Sequence, residues 1–184
     1  MAPPPRRSNA DRRSTNVKRR LQEPALGEAA LSELAQIIQY EPYAKHKRQP
    51  RAFGLDPIPG VSEDATFCDE HAGFTPADME RIPWLLERGV MAGLTSDSMA
   101  SGVPRLVWTV DDNGWVYEAR LTNVGGALYH GYPLLPGDVV ATQVLGRFTR
   151  WAYDAPSEML KRCRDMTREH AIAVARTAEE LYGG

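Results

Sequence analysis

Apolar positions along the chain follow two periods, and each predicts a different kind of element. After Pro24, Leu31, Leu34 and Ile38 fall at i, i+3 and i+7, the spacing of a short amphipathic helix. A second helix is expected over "PADMERIPWLLERGVMAG". Thr75 is its N-cap, Pro76 its first residue and Asp78 its capping-box partner. Pro83 should kink or restart it, Trp84, Leu85 and Val90 supply its apolar surface, and Gly93 should end it. "LTSDSMASG" reads as a loop or a single helical turn.

The period then changes to two. "RLVWTV" and "WVYEARLT" flank "DDNG", whose Asn-Gly pair is a hairpin signal, and "ALYHGY" follows a second turn, "NVGG". These predict a three-stranded antiparallel meander over roughly 105–133. Helical spacing returns in "LPGDVVATQVLGRFTRWAY", with Val139, Val140, Val144 and Phe148 on one side. Pro156 is expected to open one last helix, along which Met159, Cys163, Met166, His170, Val174, Ala178 and Leu181 form a single buried stripe. The expected fold is α+β: a meander with three or four helices packed on one face.

The remaining segments lack either period. Residues 1–23 are polar and cationic, with too little apolar surface to offset ordering entropy, and read as a disordered basic arm. Residues 24–65 read as the short helix plus a proline-rich linker, and 66–184 as the compact domain. The 184 residues suit one domain and a tail. Charge sharpens this division. Residues 1–51 hold 11 Lys/Arg against 5 Asp/Glu, and residues 52–184 hold 11 against 19. A basic head on an acidic body implies an anionic partner for the head, either nucleic acid or an acidic protein surface. Two cysteines do not make a disulfide scaffold and fit reduced thiols in a cytoplasmic protein. No apolar run has transmembrane length, so no membrane partner is expected.

Candidate chemistry concentrates in "YEARLTNVGGALYHGYP". Along its first strand Glu118 and Arg120 share a face with Val116, while Trp115, Tyr117, Ala119 and Leu121 share the face that looks like core. The next strand returns His130 to the same region. On one exposed face these three suit metal-independent RNA cleavage. Glu118 would take the proton of a ribose hydroxyl, His130 would protonate the leaving oxygen, and Arg120 would stabilise the phosphate charge. Tyr129 or Tyr132 would stack a base. The plainer alternative is a solvated Glu118–Arg120 pair and a strand-end histidine.

Two other constellations carry less, and the basic arm is a separate functional candidate. The element order permits a winged helix with "TSDSMASG" as recognition helix, but that segment has no Lys or Arg, and Asp111 and Asp112 would place acid at the wing tip. Cys68, His71, Cys163 and His170 are zinc-type ligands at spacings that match no known finger, so neither metal nor cofactor is expected. In the arm, Arg6, Arg7, Arg12, Arg13, Lys18, Arg19 and Arg20 suit sequence-independent backbone binding, with a solubilising tail as the alternative.

The segment from Phe74 to Pro133 resembles a group of short bacterial proteins that share three strand motifs. Here these are Gly102, Pro104, Trp108 and Val110; Glu118, Ala119, Leu121 and Asn123; and the run Tyr129 to Pro133. The resemblance implies that the meander and its terminal "YHGYP" form a unit, and implies no activity. The leading expectation is a small bacterial or mobile-element accessory protein that binds nucleic acid or a protein partner, tethered by the basic arm. A toxin-like endoribonuclease and a winged-helix regulator are the alternatives.

Overall fold

The computed structural model describes residues 19–62 and 65–183. Its architecture is mixed α+β. In chain order the helices are α1 (Glu28–Ile37), α2 (Cys68–His71), α3 (Ile82–Met91), α4 (Val139–Asp154), α5 (Ser157–Arg162) and α6 (Arg168–Tyr182). The strands are β1 (Gln39–Tyr40), β2 (Met99–Ala100), β3 (Val103–Pro104), β4 (Leu106–Val110), β5 (Val116–Asn123) and β6 (Leu128–Pro133).

The three expected strands pair antiparallel, but the sheet is larger than a three-stranded meander. Its order is β1-β6-β5-β4, with β1 added parallel to β6 through Gln39–Leu128 and Tyr40–Tyr129. Beyond β4 the chain adds isolated bridges, Thr95 to Val107 and Leu21 to Ser96. The "DDNG" hairpin forms because Asp111 Oδ1 accepts from the backbone N–H groups of Asn113 and Trp115. β2 and β3 make a separate two-stranded ladder. Residues Thr95–Ala100 are therefore extended or bridged, which removes the recognition helix that a winged-helix regulator needs.

Helices do not lie on one face only. Every residue of β4 and the first four of β5 are buried, which requires cover on both sides of the sheet. α3 packs on β4, held by the Thr109 hydroxyl donating to the Leu85 carbonyl at 2.6 Å. Gly89 lets this contact close, because a Cβ there would overlap the Trp108 carbonyl oxygen. α4 contacts β4 and β5, and α6 contacts β4. The capping box of Thr75 and Asp78 is present, opening a 3-10 stretch (Pro76–Arg81) that becomes α3 at Ile82, with Pro83 in its first turn, and Gly93 ends α3 at φ 68°.

Two boundaries differ from the sequence reading. The compact body begins well before residue 66: Leu31 and Leu34 belong to the same core as Trp108 and Phe148. The segment from Pro57 back to β1 is anchored as well, with Ala44 and Lys47 buried. The last helix is two helices. Between α5 and α6 the chain turns through Arg164 and Asp165 at positive φ, and Thr167 caps α6 by accepting from the His170 N–H at 3.1 Å. That break turns His170 outward, leaving its side chain half exposed. In α4, Val140, Val144 and Phe148 are buried, whereas Val139 is exposed.

Candidate nucleic-acid interface

Pairing between β5 and β6 places Arg120 directly opposite His130 and Glu118 opposite Tyr132; on the other side of β5, Trp108 lies opposite Glu118. Opposed residues share a face. Glu118 and Arg120 share a face as strand alternation requires, and the register, which the sequence leaves open, puts His130 on that face too. The expectation that the face is exposed is not met.

Glu118 is fully buried and saturated. One carboxylate oxygen accepts from Arg19 Nε at 2.6 Å and Trp108 Nε1 at 3.1 Å. The other accepts from Arg120 Nη2 at 2.9 Å and from the Tyr132 hydroxyl. Burial alone would raise this carboxyl, but Arg19, Arg120 and Tyr132 hold it below the usual carboxylate range. Both oxygens of the carboxylate are thus engaged by the fold and face no solvent from which a ribose hydroxyl could approach.

His130 departs from its expected role too. Burial pushes its imidazole down to about 4, with Arg120 and Lys45 acting in the same direction against Glu41. At neutral pH the ring is uncharged and lacks the imidazolium proton that a general acid transfers. Its Nδ1 is buried without a hydrogen-bond partner among the described residues. The ring instead stacks on Tyr43 at 4.4 Å between centroids and on His46 at 5.1 Å, and His46 in turn lies 4.8 Å from Tyr132. Neither tyrosine is placed to stack a base. Tyr129 is buried and donates to the Pro104 carbonyl, and Tyr132 is buried against Glu118 and Arg120.

Arg19 is the largest revision to the arm. It is 3% exposed, and besides Glu118 it binds Asp138, the N-cap of α4, at 2.9 Å. Residues 19–22 thus belong to the folded body: Leu21 bridges Ser96, and Gln22 N–H donates to the Thr95 carbonyl at 2.8 Å. Arg20 remains outward, its side chain 68% exposed and 3.8 Å from Asp97. Arg6, Arg7, Arg12, Arg13 and Lys18 lie outside the described residues.

The residues that sequence reasoning missed are in "EPYAKHKRQPR", taken there as linker. Its 3-10 turn Ala44–His46 lays Tyr43 and His46 on His130, and leaves Lys45, Arg48 and Arg51 exposed. The signal was present: four Lys/Arg and one acid in eleven residues, with Tyr43 and His46 interleaved. Lys45 and the partly exposed Arg120 act on the Tyr-His-His stack, and Arg48 and Arg51 are exposed farther along the same loop. Asp69 and Glu70 border it; Arg48 lies 3.5 Å from Glu70.

The four zinc-type residues serve other partners. Cys68 Sγ faces the Gly131 carbonyl, His71 Nδ1 contacts the Phe67 backbone, Cys163 Sγ faces the Met159 carbonyl, and His170 Nε2 lies 3.2 Å from Asp112. Among the described residues no three His, Cys, Asp or Glu side chains form a metal-binding group, and no helix is long and apolar enough to cross a membrane. No protein-family model matches the chain, and neither the curated proteins nor the solved structures searched hold a significant match.

Proposed function

We propose that this protein binds the sugar-phosphate backbone of single-stranded nucleic acid, using the 41–51 loop, Arg120 and the basic residues 1–18 as one interface. One observation carries the reading. Glu118 bonds Arg19, where the basic N-terminal segment joins the fold, and Arg120, which stands opposite His130 at the stacked rings. The cationic segment therefore joins the body next to the loop surface. Residues 1–18 hold five Lys/Arg and one acid. Cations on a short 3-10 turn and a strand read charge and not base identity, so binding is sequence-independent.

Fluorescence anisotropy with labelled single-stranded RNA, single-stranded DNA and duplex DNA tests the proposal. Lys45→Ala with Arg51→Ala changes only exposed side chains and should weaken single-strand binding about tenfold at low salt. Unchanged affinity in that variant would remove the loop from the interface. Binding only to acidic proteins would favour the protein-partner reading. Denaturing gels of the same mixtures test cleavage: EDTA-resistant fragments absent in His130→Ala would restore the endoribonuclease reading against the electrostatics above.

A further inference from the structure

On the sheet face opposite Glu118, a cavity of about 50 Å3 lies between the sheet and α3. Leu85, Leu86 and Phe74 give it an apolar wall, and Lys47 and Cys68 give it a polar one. Lys47 is 5% exposed. Its Nζ stands 5.1 Å from the Phe53 ring centroid and 5.2 Å from that of Phe74. Among the described residues the only lysine in an ion pair is Lys161, so the Lys47 ammonium has aromatic faces and the Cys68 thiol beside it and no carboxylate among the described residues. A buried cation is costly until an anion accompanies it. Burial pushes the Cys68 thiol up while Lys47 opposes the shift, which fits the two groups sharing this wall.

We propose that the cavity is a binding site for a short aliphatic carboxylate, its carboxylate paired with Lys47 and its alkyl chain against Leu85, Leu86 and Phe74. Size sets the class. At about 10–15 Å3 for each water-sized group, the space takes roughly three to five such groups, the bulk of acetate or propionate. Inorganic phosphate is a poorer fit, because the apolar wall leaves its remaining oxygens without donors. The site stands on observations separate from those behind nucleic-acid binding.

The test uses the full chain and propionate, with alkylation of each cysteine followed by mass spectrometry. Cys68 lines the cavity and Cys163 does not, so Cys163 is the internal control. Propionate at about ten times its Kd should slow Cys68 alkylation about tenfold, saturably, and leave Cys163 unchanged. Lys47→Met should abolish the protection. Ala119→Leu, which fills the cavity while keeping Lys47, should abolish it as well, with melting curves showing both variants folded. Equal slowing of both cysteines, protection that survives in Lys47→Met, or no saturable effect from formate through butyrate would overturn the proposal.

Discussion

Arg19 and Glu118 stand 99 positions apart in sequence and 2.6 Å apart in the fold, both inaccessible to solvent. The pair fastens the first described residue to a central strand of the sheet. Asp138 at the start of α4 takes the other side of the same guanidinium, so one arginine joins three distant parts of the chain. Removing one partner of a buried pair strands the other in low dielectric. Glu118→Ala should therefore lower unfolding free energy by about 3–5 kcal/mol in urea titration. A loss below about 1 kcal/mol would mean that water enters the network freely.

Truncation separates the clamp from the basic segment. A chain lacking residues 1–18 should melt where the full chain does. A chain lacking 1–23 also loses Arg19, the Leu21–Ser96 bridge, the Gln22–Thr95 bond and the Glu23 pairing with Arg147, and should lose about 3 kcal/mol or more. Equal melting of the two truncations would show that residues 19–23 contribute no stability.

His130 sets a pH dependence with a definite sign. Its pKa falls from 6.5 in the unfolded chain to about 4 in the fold. Between these values the unfolded chain binds the extra proton, so stability is full above pH about 6.5 and is lost as pH falls toward 4. His130→Phe keeps a ring on Tyr43 and cannot titrate. Its melting temperature should change less than that of the wild type across this window. Parallel profiles for the two proteins would assign the acid sensitivity to other groups.

Gly89 tests the contact between α3 and β4. A Cβ at this position meets backbone that cannot swing aside, the Trp108 carbonyl. Gly89→Ala should cost about 1–3 kcal/mol, although alanine is the better helix former. An unchanged or raised melting temperature would show that the helix can slide on the strand.

Much of the sheet was legible in the sequence. Alternation and the "DDNG" turn locate β4 and β5, and the shared face of Glu118 and Arg120 follows from strand geometry alone. What covered that face was not legible. A glutamate in mid-strand reads as solvent-facing unless its partners are known, and Arg19 arrives from outside any local window. The same limit applies to residues 41–51, where prolines suggested a linker but Ala44 and Lys47 are buried. The break after α5 had a local mark, Thr167 as an N-cap, which the continuous stripe from Met159 to Leu181 concealed. His170 fits that stripe only if the helix is unbroken.

The most direct measurement of the central claim is the salt dependence of single-stranded RNA binding, full chain against a chain lacking residues 1–18. Those residues carry five Lys/Arg. At about 0.7 per neutralised phosphate, the slope of log K against log salt should become shallower by up to about 3.5 in the truncated chain, with weaker but measurable binding left to the loop surface. Identical slopes and affinities for the two chains, or no binding by the full chain at low salt, would contradict the account.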